Sequence, residues 1–420
     1  MKVVEHVNYV LEKIIFEGSN FNLAIKSSIN NDKRGIDSET LNAVTSVCGS
    51  YLRHYYSLSE SVKRRFPDLD EKIQLQIGVV LSDKLFSKKL DREEALKIVL
   101  KNHPDREKDI NEYLDSVDEP FKLMPEEVKP ESDEYNHLRY NLPLFLVKMW
   151  RRNCKNALSR KLFKSFKKNN RHIVRIDTNK ISVEEFFNKY PEFTRVDEYP
   201  LAVINDTKNP KRLPCVMNGE ALNMHVGFTY ALEGLDVDFL RGVAIYGAAN
   251  NEILDELYAR YGNNIKLEYL CGAQRHFFEV NNKIKRYHLK NLSVYECGYD
   301  ALRTCISKPV HTFIVCPENT SFQRMKEESD YFLRINPDDL DNLIANELTA
   351  LENAADLIEE GGYLAYIVPT LCRNETYGLI HKFIEEHEEF SLEKEIQLFP
   401  FDKFNSMIYF AVLKKEINND

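Results

Sequence analysis

Residues 333–370 read LRINPDDLDNLIANELTALENAADLIEEGGYLAYIVPT, and this stretch decides the fold class. Asn336 is a good helix cap, Pro337 suits the first helical position, and two aspartates then lie at the positive end of the helix dipole. Apolar residues recur every three to four positions as far as the glycine pair 361–362, where we expect the helix to stop. The apolar run Tyr363–Val368 predicts a buried strand. A capped helix that leads into a buried strand indicates one crossover of an α/β sheet.

The same alternation extends over most of the second half of the chain. Further strands are predicted at Gly242–Tyr246, Ile265–Leu270, Leu292–Cys297, Thr312–Val315 and Met407–Leu413. Strands that alternate with helices are typical of a sheet with helices on both faces, so we expect a doubly wound α/β domain over residues 221–420. Ligands of such sheets bind beyond the carboxyl ends of the strands. The loop after residue 315 is therefore the first place to look for a site.

The first 118 residues follow a helical pattern throughout, with apolar residues such as Val3, Val7, Val10 and Ile14 at intervals of three and four. An all-α domain over residues 1–118 is the prediction. Residues 104–136 then contain 12 Asp+Glu against 4 Lys+Arg, interrupted by prolines. This composition favours an acidic, proline-containing linker over residues 119–141.

A strongly basic stretch follows. Residues 148–175 contain 11 Lys+Arg and no acid, although the whole chain has a formal net charge of −9. Because a local basic surface can bind phosphates whatever the average charge is, we predict a small RNA-binding subdomain over residues 142–220. A solvated basic face without a ligand is the alternative. The candidate RNA-binding residues are Lys148, Arg151, Arg152, Lys155, Lys164 and Arg171; the neighbouring aromatic residues Trp150, Phe163 and Phe166 have a helical spacing that favours core packing over base stacking.

Length and composition set the remaining bounds. A chain of 420 residues with 43% hydrophobic and 29% charged residues predicts two or three globular domains. No apolar run approaches the roughly 20 residues that span a bilayer, so we expect no membrane association. The eight cysteines lack CxxC pairs and zinc-type spacing, which predicts reduced thiols, no metal site and a cytoplasmic location.

The order of these elements resembles the RsmB-type ribosomal RNA cytosine-C5 methyltransferases. The resemblance rests on the run 333–370, on RHIVRIDTNK at 171–180, and on NLAIKSSI at 22–29 with GSYLRHYYSLSESV at 49–62, which are similar to the NusB-like domain of that family. It implies a NusB-like helical domain and a Rossmann-like methyltransferase domain. It also implies S-adenosylmethionine as cofactor, ribosomal RNA as partner and, among possible protein partners, ribosome-assembly proteins.

The cofactor positions implied by the resemblance differ from the family pattern. The family loop C-A-A-P-G-G-K-T falls on residues 246–253, YGAANNEI, so that Asn250 and Asn251 replace two glycines and Glu252 replaces the lysine. The acid expected after the second strand falls on Cys271, whereas Asp300 matches the acid expected near adenine. The implied cofactor-binding residues are Gly247, Ala249, Asn250, Cys271 and Asp300.

The catalytic motifs also differ. The family motif D-A-P-C-S-G falls on residues 316–321, CPENTS, which puts Asn319 at the position of the attacking cysteine. The second family cysteine falls on Pro369. A shifted arrangement would use Cys316 and Cys372 as the catalytic pair. Inert buried thiols are the alternative.

Three functional hypotheses follow. The first is an RsmB-like protein that binds ribosomal RNA and whose cofactor and catalytic motifs are eroded. The second is an active S-adenosylmethionine-dependent ribosomal RNA cytosine-C5 methyltransferase that uses Cys316 and Cys372. The third is a non-enzymatic protein-interaction or ribosome-assembly module in which the helical domain dominates.

Overall fold

The computed structural model describes residues 2–32, 35–101, 103–167, 171–196, 198–205, 210–233, 235, 241–248, 252–264 and 266–417. The chain forms two compact units, and neither is a continuous piece of the chain. The first unit comprises Met1–Lys167 together with Arg324–Ile335, and the second comprises Lys168–Gln323 together with Asn336–Asp420.

The first unit is helical, as predicted. Its α-helices are α1 (Val3–Ile15), α2 (Phe21–Asn31), α3 (Ser38–Leu52), α4 (Tyr55–Arg65), α5 (Glu71–Ser82), α6 (Arg92–Leu100), α7 (Glu107–Ser116), α8 (Asp133–Tyr140), α9 (Leu144–Asn153) and α10 (Asn156–Ser165). The apolar stripes of α1, α3 and α5 meet in the core, where Val7, Leu11, Val47, Leu52 and Ile77 are fully buried. Several helices begin at an acidic cap; the Asp70 carboxylate, for example, accepts from the amides of Lys72 and Ile73.

The predicted linker at residues 119–141 is folded into this unit. It contains α8, and its side chains Leu123 and Leu138 are buried. Asn141 adopts a left-handed conformation with φ of 54°, and its side-chain amide accepts from Tyr56 N and donates to Leu52 O. Prolines and acids indicated an extended chain, but two buried leucines and a side-chain clamp onto the backbone are enough to order the segment.

A short piece of the distant sequence completes the first unit. Within Arg324–Ile335, Phe332 is buried with its ring centroid 5.8 Å from that of Tyr55 and 5.2 Å from that of Tyr56. The carboxylate of Asp330 accepts from the amide of Phe21 at 3.1 Å. A prediction that assigns each domain to one continuous range cannot identify such a segment.

The second unit begins with a small antiparallel sheet in the order β2–β3–β1–β4. Its strands are β1 (Arg171–Ile176), β2 (Thr194–Val196), β3 (Leu201–Asn205) and β4 (Ala221–Leu222), accompanied by α11 (Val183–Lys189), α12 (Pro214–Met217) and α13 (Gly227–Ala231). Since residues 142–167 belong to the first unit, the predicted basic subdomain at 142–220 is divided between the two units.

The main sheet of the second unit has seven strands in the order β10–β11–β9–β8–β5–β6–β7. They are β5 (Val243–Gly247), β6 (Leu267–Cys271), β7 (Leu292–Glu296), β8 (Val310–Cys316), β9 (Ile358–Val368), β10 (Phe390–Gln397) and β11 (Tyr409–Lys415). The helices are α14 (Glu252–Tyr261), α15 (Gln274–Tyr287), α16 (Leu302–Cys305), α17 (Leu340–Ala355) and α18 (Tyr377–Glu386). Strands β5 to β9 pair in parallel and β11 pairs antiparallel with β9 and β10. One hydrophobic core lies on each face, which confirms the predicted α plus doubly wound, Rossmann-like α/β fold.

The glycine pair 361–362 does not end a helix, contrary to the prediction. Helix α17 ends at Ala355, and both glycines lie inside β9. Gly361 has φ of +74°, and a Cβ on Gly362 would lie 2.6 Å from His311 O. The glycines therefore serve the register shift between β8 and β9, not a helix terminus.

Among the described residues, every helix is too short or too polar to cross a bilayer.

Candidate functional site

The carboxyl ends of three parallel strands lie side by side in the second unit. Gly247 of β5 is paired with Cys271 of β6 on one side and with Cys316 of β8 on the other. Backbone bonds continue this line beyond the strands, because Ala248 N donates to Cys316 O at 3.0 Å and Cys297 N donates to Cys271 O at 2.9 Å. The loops that follow these strands therefore begin at one edge, which is where α/β sheets bind ligands.

The loop after β5 is only partly described. Ala249, Asn250 and Asn251 lie outside the described residues. Gly247 is tightly enclosed, since a Cβ there would lie 2.2 Å from the hydroxyl oxygen of the buried Tyr269. Glu252 opens α14, and its carboxylate accepts from His225 N at 2.8 Å. An acid thus lies at the positive helix end that would otherwise attract an anionic ligand.

The two other implied cofactor positions have opposite properties. Cys271 is fully buried, and burial, followed by the charge of Glu296, raises the pKa of its thiol to about 12. A neutral buried thiol is a poor acceptor for ribose hydroxyls. Asp300 is exposed in the loop after β7. The described residues of this edge therefore fit S-adenosylmethionine poorly, with Asp300 as the exception.

The loop after β8 is held by Asn319, the residue at the expected nucleophile position. The Asn319 side chain is buried, donates to Pro317 O at 2.9 Å, and accepts from Ser321 N at 2.7 Å. Ser321 has φ of 46°, which the Asn319 carbonyl stabilises by accepting from both its amide and its hydroxyl. All of these bonds are internal to the loop, so the amide shapes the loop itself.

A buried carboxylate joins this loop to the loop after β9. Glu375 is fully buried at the end of a short 3-10 helix, Arg373–Glu375. Its carboxylate accepts from Thr320 N at 2.6 Å, from Thr320 Oγ1 at 2.5 Å and from Thr370 Oγ1 at 3.2 Å. The two loops that carry the expected catalytic positions are thus joined through a charge-assisted network.

A second buried acid lies against the first. Glu347 of α17 is fully buried, and its carboxyl faces the Glu375 carboxyl and the Tyr366 hydroxyl. Neither Glu347 oxygen accepts from a donor in the described part of the chain, and the Tyr366 hydroxyl donates to Glu375 O. Burial, reinforced by the adjacent Glu375, raises the pKa of Glu347 well above its usual range. Burial raises the pKa of Glu375 as well, so the pair favours holding a proton between the two carboxyls.

The candidate thiols of the shifted arrangement are both buried. Cys316 is the last residue of β8 and packs in the sheet core, where burial, with Glu252 and Glu347 nearby, raises its pKa to about 12. Cys372 follows β9, and burial together with Glu375 raises its pKa as well. Reactive cysteines instead have lowered pKa values in electropositive surroundings. Pro369, at the other family position, is buried, and its carbonyl accepts from Gln323 N.

The basic residues of α9 and α10 are on the surface of the first unit. Lys148, Arg152, Lys155 and Lys164 are exposed, whereas Arg151 is paired with Asp133 at 3.0 Å. Trp150 and Phe163 are buried, and the Trp150 ring stacks on Phe166 at 5.6 Å, in agreement with core packing. Arg171 starts β1 in the second unit, and its side chain is outside the described part of the structure. Four of the six predicted RNA-binding residues are therefore exposed on the surface of the first unit.

Comparisons with known proteins agree with this architecture. No protein-family model matches the chain. It is 40% identical over 67 residues to the ribosomal RNA small subunit methyltransferase B of Thermus thermophilus, which covers 16% of this chain and 17% of that protein. It is 35% identical over 81 residues to the probable ribosomal RNA small subunit methyltransferase B of Bacillus subtilis, which covers 18% of each chain. Over these two stretches the chain is similar to RsmB-type methyltransferases. The matches span less than a fifth of these relatives' lengths.

The likeness in structure extends over the whole chain. The crystal structure of PH0851 superposes with a TM-score of 0.74 at 17% sequence identity, covering 98% of this chain and 99% of that one. At this identity the likeness concerns the fold. It includes the helical part as well as the α/β part, so the match in fold covers both of the regions that the sequence predicts.

The buried acids Glu347 and Glu375 are the site residues that the sequence did not predict. One signal was present: Glu347 lies four residues from both Leu343 and Leu351, on the apolar side of the predicted helix. An acid at such a position is expected to be buried, and a buried acid needs a hydrogen-bonding or charged partner. Glu375 gave no comparable signal, because it lies in a loop without periodicity.

Proposed function

We propose that this RsmB-type protein binds ribosomal RNA and that its methyl-transfer site is eroded. The observation that carries the proposal is the nucleophile loop, where an amide that cannot attack a pyrimidine occupies the expected position and is engaged at both ends. The neutral thiol of Cys271 and the acid at Glu252 support loss of cofactor binding. Burial of Cys316 and Cys372 argues against the shifted thiol pair.

Titration with S-adenosylmethionine tests the eroded site. We expect calorimetry of the full chain to show no saturable binding at S-adenosylmethionine concentrations up to about 1 mM. A Kd of about 1 mM corresponds to a binding free energy of roughly −4 kcal/mol, so any binding would be weaker than that. Micromolar binding would overturn the proposal. In that case Asp300→Asn should weaken binding, since Asp300 is the exposed acid at this edge, and methylation that survives Cys316→Ala would exclude Cys316 as the nucleophile.

The RNA-binding part rests on the exposed bases of α9 and α10. Replacing Lys148, Arg152 and Lys155 by serine is expected to weaken binding of small-subunit ribosomal RNA and to reduce the slope of log Kd against log salt by about 0.7 per lost phosphate contact. Lys97→Ser is a matched control, because Lys97 is an exposed lysine on α6 of the same unit. An unchanged slope in the triple variant would favour a protein-interaction role. We also propose a cytoplasmic location, where ribosomal RNA is met, and ribosome-assembly proteins as further partners.

A further inference from the structure

A cavity of about 250 Å³ lies in the first unit between α5, α6 and α7. Its apolar lining consists of Val80, Leu90, Ala95 and Leu114. Its cationic lining consists of Lys84, Lys88 and Arg92. Lys88 and Arg92 are exposed, whereas Val80, Ala95 and Leu114 are buried. The cavity therefore combines an apolar floor with cations that lie toward solvent.

The acid in the lining, Asp83, is engaged by the turn that follows α5. Its Oδ1 accepts from Ser87 Oγ and from Lys89 N, both at 2.8 Å, and its Oδ2 accepts from Leu90 N at 3.1 Å. The two amides and the hydroxyl offset the negative charge of the carboxylate. Asp83 thus holds the shape of the turn, and the cations of the lining determine the charge that a ligand meets.

The three cations differ in how far they are already paired. The Lys84 ammonium donates to two backbone carbonyls at the end of α7. The Arg92 guanidinium donates to the Asp115 carboxylate at 2.7 Å. Within the described part of the chain, the Lys88 ammonium makes neither a hydrogen bond nor an ion pair. Lys88 is therefore the cation of this cavity that is available to a ligand.

Lys88 is also held in place by an unusual backbone. Helix α5 runs into a five-residue π-helical turn, Asp83–Ser87, after which Lys88 is left-handed with φ of 53°. This conformation is unfavourable for a lysine, and π-helical turns and left-handed residues other than glycine concentrate at functional sites. Here the turn places the Lys88 side chain in the wall of the cavity.

We propose that this cavity binds a small molecule with an apolar body and one anionic head, either a carboxylate or a phosphate. The body contacts Val80, Ala95 and Leu114, and the head pairs with Lys88 at the mouth. Lys84 has three ammonium protons and two carbonyl partners, so it has one more to donate to the head. The cavity volume of about 250 Å³ is below the usual range for drug-sized ligands, so a single ring or a short chain fits.

Calorimetric titration of the full chain with two anionic probes tests the site. Phenyl phosphate and 3-phenylpropionate share a ring and differ in the head group, so they distinguish a phosphate ligand from a carboxylate ligand. We expect at least one of them to bind saturably in one equivalent, with inorganic phosphate and phenethylamine at least about tenfold weaker, because the first lacks the apolar body and the second is a cation. The proposal fails if neither anion binds saturably, or if phenethylamine binds as tightly.

Lys88→Asn removes the charge without opposing the fold. Asparagine tolerates the left-handed conformation, so the variant should unfold in urea like wild type and bind the anionic probe at least about tenfold more weakly. Lys89→Asn is the matched control, because Lys89 is an exposed neighbour outside the lining; its affinity should stay within about twofold of wild type. Equal losses in the two variants would mean that general surface charge, not the cavity, holds the probe.

Ala95→Leu tests the apolar floor. Ala95 is buried and lines the cavity, so the larger side chain should fill part of it and abolish probe binding, with urea unfolding as the check on the fold. Unchanged binding in a folded Ala95→Leu variant would contradict the site. A saturating single-stranded RNA oligonucleotide should leave probe binding unchanged. Displacement of the probe by that RNA would overturn the small-molecule assignment and make the cavity an RNA contact.

Discussion

Two of the buried acid sites in the second unit balance their charge in different ways. Glu256 of α14 is fully buried between two guanidinium groups, with Arg175 Nε 3.1 Å from one carboxylate oxygen and Arg260 Nε 2.6 Å from the other. Glu347 and Glu375 are also fully buried, yet among the described residues their neighbours are hydroxyls, backbone amides and each other. One site balances its charge with cations, whereas the other does so by keeping a proton.

This difference teaches how each site should respond to change. A buried carboxylate paired with guanidinium groups depends on those partners. A carboxyl pair without a cation depends on a proton, and so on pH. The first site is predicted to be sensitive to mutation, and the second to be sensitive to pH.

Arg175→Met is expected to have the largest effect. It leaves Glu256 buried without its innermost cation and should lower the free energy of unfolding by about 3–5 kcal/mol. Urea unfolding of the full chain measures the loss. Arg195→Met is the control, because Arg195 is half-exposed and lies 3.8 Å from an exposed Glu184; it should stay within about 0.5 kcal/mol of wild type. If Arg175→Met lowered the free energy of unfolding by no more than Arg195→Met does, the ion pair with Glu256 would not set the stability of this site.

Glu375→Gln should have the next largest effect, about 1–3 kcal/mol. The carboxylate accepts from the Thr320 amide through one oxygen and from two threonine hydroxyls through the other. A glutamine keeps one acceptor and turns an N–H group toward the remaining donors. Urea unfolding again provides the measurement, with the exposed Glu385→Gln on α18 as control. Equal curves for the two variants would show that Glu375 does not hold the two loops together.

The pH dependence of the free energy of unfolding should identify the contribution of Glu347. Its pKa in the folded protein is raised, so between the ordinary glutamate pKa and that raised pKa only the folded state holds the proton. Stability from this group is therefore present in acid and falls as pH rises, by up to about 1.4 kcal/mol per pH unit. Glu347→Gln should remove this fall. Unfolding curves of wild type and variant at pH 5, 6, 7 and 8 measure the difference, and parallel pH profiles would contradict it.

At pH 5 Glu347→Gln should be almost silent, with a change below about 0.5 kcal/mol. The glutamine amide has the size of the protonated carboxyl and can donate to Glu375 in its place. Glu347→Leu supplies the contrast, because it removes that donor while keeping the volume. If both variants lost the same free energy at pH 5, packing and not the shared proton would explain the burial of Glu347.

Much of the fold could be predicted because its signals are local. The Asn336 cap and the proline that follows it fix the start of the helix region, where a 3-10 turn, Pro337–Asp339, leads into α17. Strands such as β8 and β11 are short apolar runs. Strand β10 was missed because its sequence FSLEKEIQ has no continuous apolar run and alternates with charged and polar residues, as an edge strand allows. The segment 119–141 was misjudged because two buried leucines carry more weight than its composition.

The candidate site was harder to predict for a physical reason. Its position followed from the topology, and Asn319 followed from the match of residues 316–321 to the family motif. The network that ties the loops together did not follow, because Thr320, Glu347 and Glu375 come from three separate elements. The partners of a buried polar group are determined by the tertiary structure, whereas helix caps and strands are determined largely by the local sequence.

The discontinuous first unit has a consequence for synthesis. Its helices leave the ribosome early, but the segment that places Phe332 beside Tyr55 and Tyr56 is encoded after most of the second unit. At typical translation rates the helical unit waits roughly ten to thirty seconds for this segment. During that interval Tyr55 and Tyr56 lack their ring contacts with Phe332. The first unit can therefore complete its folding only after residues 168–323 of the second unit have been synthesised.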